Sequence, residues 1–186
     1  MPIGEKIFRT IWVNVLLAVR YGVLYPVIPA LIIGIAYYIV TLKRTNVKSV
    51  KKSVLLGLIS YSYICPFWLA VISRIGREKV DSTAHIFDGW FVRETGYFFD
   101  ILAFQNVFLF TPFAICLCLF LIKYKKHSNK SIVLICTLMS FAMSLAIELI
   151  QLVTCIGTFQ LSDLVYNTLG GLIGALLVLI VNKLKN

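Results

Sequence analysis

Charge is scarce in this chain, and negative charge is scarcer: 14% of its 186 residues are charged, with 8 acids against 18 lysines and arginines. Alongside 60% hydrophobic residues and a mean hydropathy of +0.91, this excludes a water-soluble enzyme or carrier. Histidine is nearly absent. His85 and His127 stand in separate polar segments without ligand spacing, so neither a metal nor another cofactor is expected. The cysteines are odd in number, and Cys65, Cys116, Cys118 and Cys136 fall inside apolar runs, which argues against a disulfide framework. They read as small apolar residues, and Cys116 and Cys118 do not share a helix face. The acids come with no nucleophile motif, and so many apolar runs in so short a chain leave no length for a separate soluble domain.

What is present is a set of apolar runs, each about as long as a bilayer core requires: Pro26–Leu42, Val54–Ser73, Phe104–Ile122, Ile132–Val153 and Leu161–Val181. The expected fold is all-α, a polytopic membrane protein with about five transmembrane helices. Three polar segments carry lysine or arginine and no acid: Lys43 to Lys52, Lys123 to Lys130, and the tail with Lys183 and Lys185. The 74–103 loop mixes Arg74, Arg77, Lys79 and Arg93 with Glu78, Asp81, Asp88, Glu94 and Asp100. The positive-inside bias places the three basic segments, and the C-terminus, in the cytoplasm. The net charge of +10 is then a topological signal that predicts contact with anionic inner-leaflet lipid and no nucleic-acid partner.

Residues 5–20 have a short apolar centre between Arg9 and Arg20, too short to span. Segment 1–25 is expected as an interfacial or re-entrant helix, bending at Pro26 and Pro29 into a membrane domain over 26–186. The basic residues flank both ends of the apolar stretch and no small-residue cleavage site follows, so a cleavable signal peptide is disfavoured.

Within the apolar runs a few polar residues stand out. In AIELIQLV (146–153), Glu148 and Gln151 fall near the outer end of the fourth span. In LSDLVYNTLGGLIG (161–174), Asp163 and Asn167 open the fifth, and Asn106 opens the third at a similar depth. Topology alone gathers these five at the outer leaflet. Thr137, Ser140, Ser144, Glu148 and Gln151 share one helical stripe; Asp163, Asn167, Gly170, Gly171 and Gly174 form another, expected to face the first. Gly170 and Gly174 have GxxxG spacing, read as an internal contact over a dimer contact.

Gln151 and Asn167 serve equally as interhelical hydrogen-bond glue, and Asp163 as a helix N-cap. Glu148 is the stronger functional candidate, because an intramembrane carboxylate costs roughly 2 to 4 kcal/mol on insertion scales unless paired or protonated. Two other classes stay open. A membrane enzyme would use Glu148 and Asp163 as acid and base with His85 and Asp88 nearby. A small transporter or flippase would use Glu148 in a cavity, though no inverted repeat is visible.

AIELIQ followed by DLVYNTLGGLIG, with QNVFLFTPF (105–113) upstream, resembles the VanZ family of bacterial membrane proteins over roughly residues 80–180. The resemblance singles out Asn106, Pro112, Glu148, Gln151, Asp163, Asn167 and Gly170, with Pro112 and the glycines as packing positions. It implies a role in the bacterial cell envelope and resistance to the lipoglycopeptide teicoplanin. The expected partners are membrane lipids and a lipoglycopeptide or lipid-linked wall precursor held at the outer polar cluster. Members usually carry an arginine and an extra acid in the last turn, where this chain has Gly157, Gln160 and Ser162; Ala114 stands where a glycine is common. A cation for Glu148 or Asp163 must then come from the 74–100 loop, from Arg93 or another residue.

Overall fold

The computed structural model describes Trp12 and residues 27–41, 47–76, 78–90, 105–125 and 127–184. It is all-helical over these residues: α1 (Val27–Thr41), α2 (Val47–Ala70), a 3₁₀ turn (Ile72–Arg74), α3 (Asn106–Tyr124), α4 (Asn129–Thr154) and α5 (Leu161–Leu184). In lipid a backbone must satisfy its own hydrogen bonds, and long helices do so. Four of them, α2 to α5, are long and apolar enough to cross a membrane.

Of the first expected span, residues 27–41 are described. α1 has 15 residues, about 22 Å of rise, against a hydrocarbon core of about 30 Å. Among the described residues, the five expected crossings appear as four long apolar helices and one shorter one. α2 begins about two turns before Val54 and takes in Lys51 and Lys52, since lysine is a good helix former whose stem lies along apolar surface. Lys52 Nζ stands 5.7 Å from the Tyr37 ring centroid and 5.6 Å from that of Tyr124, joining α1, α2 and α3 at their basic ends. Of the N-terminal helix expected over 1–25, Trp12 alone is described; it is helical and exposed, and the rest lies outside the described residues.

α3, α4 and α5 form the core, α5 packing most extensively on α3 and then on α4. α2 leans on α3, with the Tyr63 and Phe113 rings 5.5 Å apart, and α1 packs mainly on α2. α4 starts on Ser128, whose hydroxyl accepts from the Ser131 amide at 3.2 Å, and ends on Cys155 in the left-handed region at φ 54°. All the cysteines are free. Cys118 and Cys136 donate weakly to the carbonyls of Ala175 and Ala114 across the core, at 3.7 and 3.8 Å.

The glycine stripe of α5 serves two neighbours. Gly171 faces α4, where a methyl would strike the Ser140 side chain, as expected. Gly170 and Gly174 instead lie against α3: a methyl on Gly170 would meet the Val107 carbonyl, and one on Gly174 would come within 2.7 Å of the Thr111 oxygen. Adjacent helical positions are about 100° apart, so one residue's shift turns the stripe to another helix. Pro112 is also corrected. It lies inside α3 on the exposed face, whereas the seam to α5 runs through Val107, Thr111, Ala114 and Cys118 at helical spacing.

Gly170→Ala should cost about 1 to 3 kcal/mol, because its methyl meets backbone that cannot step aside. Gly57→Ala, whose methyl would find the Ala30 carbonyl oxygen at an ordinary 3.8 Å, should be neutral or stabilise by up to ~1 kcal/mol through helix propensity. Thermal melting of the detergent-solubilised variants checks the order; equal melting points would contradict the close α3–α5 approach.

Candidate functional site

α3 begins, α4 ends and α5 begins at one end of the bundle, so the chain's antiparallel path alone brings Asn106, Glu148, Gln151, Asp163 and Asn167 to one level. Each is fixed by a different partner. Asn106 Nδ2 donates to Asp163 Oδ1 at 2.7 Å, tying α3 to α5. Asn167 Nδ2 donates to Ser144 Oγ at 2.8 Å, tying α5 to α4. Gln151 Nε2 donates to the Ala70 carbonyl at 2.8 Å, satisfying the end of α2. Glu148, 2% exposed, accepts from the Gln160 amide at 2.9 Å through Oε2, which closes the α4–α5 turn.

The expected facing of the α4 and α5 stripes is observed at Ser140 with Gly171 and at Ser144 with Asn167. Gln151 turns the other way, toward α2. The Oδ1 atom of Asn167 is buried with no hydrogen-bond partner, as is Ser140 Oγ.

A cation near this cluster is Arg74, at the start of the 74–100 loop. It and Asp163 both lie close enough to Glu148 to act on it electrostatically. A methyl built on Gly157 would stand 2.5 Å from Arg74 Nη1 and 3.0 Å from Gln151 Cδ, so the guanidinium occupies the volume that a side chain at 157 would fill. Arg93, the cation the sequence names first, lies outside the described residues.

Residues 78–90 fold back over the α4–α5 turn. Val80 N donates to Cys155 O at 2.9 Å, Phe159 N to Ser82 O at 2.9 Å, and Leu161 N to Ile86 O at 3.0 Å. Ser82 Oγ reaches Leu152 O at 3.1 Å, and Ser162 Oγ reaches Asp88 O at 2.8 Å. Trp90, which its position marks as an interfacial anchor, stacks at a tilt on Tyr166 with centroids 5.6 Å apart, next to buried Val107. His85 Nδ1 and Asp88 Oδ2 are 2.7 Å apart on the outer side of this cover, and the Thr83 hydroxyl, then its amide, hold the Asp81 carboxyl below its ordinary value.

Sequence reasoning missed Arg74 as the particular cation. It also missed the Gln160 amide, the Ser162 hydroxyl and Thr111, whose hydroxyl donates to Val107 O at 2.8 Å and reaches Gly170 O at 3.3 Å. Thr111, one residue before the proline of the TPF triplet, was the one with a visible signal. No group of His, Cys, Asp and Glu among the described residues has the arrangement to hold a metal ion.

A family model described as VanZ/LLP1 matches residues 30–182, taking in α1 and α2 as well as the 80–180 stretch that carries the resemblance. No curated protein and no solved structure matches the chain.

If Arg74 balances Glu148, Arg74→Met should lower stability, and the loss should shrink by about 1 kcal/mol in a Glu148→Gln background, since the charge being balanced is gone. A double-mutant cycle of melting free energies in detergent reads this coupling; strict additivity would separate the two residues.

Proposed function

The chain belongs to the VanZ/LLP1 family, and we propose that it works in the bacterial cell envelope, holding an amphiphile at the polar end of its bundle and thereby protecting the cell against lipoglycopeptides such as teicoplanin. The observation that carries this reading is the grouping of buried Glu148 with Arg74, Asp163, Asn106 and Gln151 at one level of an otherwise apolar bundle. Groups of both charge signs concentrated where helices meet the membrane boundary fit a ligand with a polar head and a fatty chain. The acid-free basic segments at the opposite end support an orientation with the polar end outside and the C-terminus in the cytoplasm. There the cluster would meet the drug itself or a lipid-linked wall precursor, masking or sequestering it.

Arg74 strengthens the reading. A family member lacking the usual turn cation would otherwise present two carboxylates alone; with Arg74 the polar end carries positive charge as well.

The test is drug susceptibility in a sensitive Gram-positive host carrying empty vector, wild type, Glu148→Gln, Arg74→Met or Asn167→Ala, with membrane levels matched. Wild type should raise the inhibitory concentration of teicoplanin several-fold and leave that of vancomycin nearly unchanged. The variants should lose most of the teicoplanin effect. Absence of protection by well-expressed wild type, or full protection by Glu148→Gln and Arg74→Met, would overturn the proposal.

A further inference from the structure

The opposite, basic end of the bundle has a feature that the polar cluster does not use. An open groove of about 510 Å³ runs between α4 and α5, walled by Val133, Leu134 and Thr137 of α4 and by Leu172 and Leu179 of α5, with Lys130 also on its border. The volume is in the range of small-ligand sites, and the walls are almost wholly apolar. From Lys130 to Thr137 the groove follows about 10 Å of helix rise, the better part of one leaflet's hydrocarbon depth.

Its basic end is defined by charge from both helices. Lys130 is exposed in the first turn of α4. Lys183, also exposed, stands four residues beyond Leu179 and so on the same face of α5. The last turn of α3 adds exposed Lys123, and the acid-free segment that follows adds exposed Lys125. An almost wholly apolar trough that ends at Lys130, with Lys183 on the same end of the neighbouring helix, matches one molecule with an acyl chain and an anionic head.

We infer that this groove is a binding site for one anionic phospholipid, its acyl chain lying between α4 and α5 and its phosphate between Lys130 and Lys183. The site is distinct from the polar cluster and holds whether or not that cluster takes a lipoglycopeptide. A zwitterionic lipid fits the trough equally but gains less from the lysines. The selectivity therefore belongs to the head and the capacity to the groove.

Native mass spectrometry of the detergent-released full chain separates the two contributions, with dioleoyl-phosphatidylglycerol and dioleoyl-phosphatidylcholine as probes. Wild type should retain phosphatidylglycerol at least about fivefold better, the effect of one lysine near an anionic head. Lys130→Gln combined with Lys183→Gln should remove that preference, and both are exposed positions whose change leaves the core intact. Val133→Phe, which fills the groove, should lower retention of both lipids; if that variant fails to fold, the lysine pair alone decides. Equal retention of the two lipids by wild type, or a preference unchanged by the lysine substitutions, would overturn the inference. So would a lipid-free dimer that Val133→Phe dissociates, which would give the groove to a second copy.

Discussion

The constraint on which everything else depends is that a chain largely surrounded by hydrocarbon must answer its polar groups from within. Helices answer the backbone along their length but leave carbonyls and amides open at their ends. At the polar end of this bundle, side chains close those accounts: Gln151 serves the last carbonyl of α2, Glu148 the amide at the start of α5, and Ser162 a carbonyl of the covering loop. The same residues that look functional in the sequence are the ones that let the helix ends meet. Neither role excludes the other. A carboxylate fixed by one hydrogen bond is preorganised for whatever meets its remaining capacity.

The glycines of α5 supply the complementary condition. Backbone can lie on backbone only where side chains are missing, and Gly170 and Gly174 let α5 settle against the Val107 and Thr111 carbonyls. That closeness sets the distance between Asn106 and Asp163. A wider α3–α5 seam would lengthen their 2.7 Å hydrogen bond and loosen the polar end with it.

Much of this was legible before any coordinates. Hydropathy located α3, α4 and α5 to within about one turn, because a bilayer demands a run length that few other environments do. Glu148, Gln151, Asp163, Asn167 and Asn106 stood out because polar residues in apolar runs are costly, and topology alone put them at one level. Arg74 was less visible for the opposite reason: it opens a loop rich in charge, where one more arginine carries no signal, and its place is set by the end of α2 and the 3₁₀ turn that follows. Gly170 and Gly174 were assigned to the wrong neighbour because periodicity tells which residues share a stripe, and not which helix the stripe meets.

Gly157 and Arg74 are best understood together. The last turn, residues 155 to 160, carries no charged side chain of its own. The guanidinium of Arg74 fills the space above Gly157 that a side chain would need, so the absence at 157 is what admits the charge from elsewhere. That guanidinium depends for its place on the 3₁₀ turn Ile72–Arg74 and on the hydrogen bond from Gln151 to Ala70 just before it. The charge balance at Glu148 is thereby tied to the packing of α2, which makes a helix outside the α3–α5 core part of the polar end.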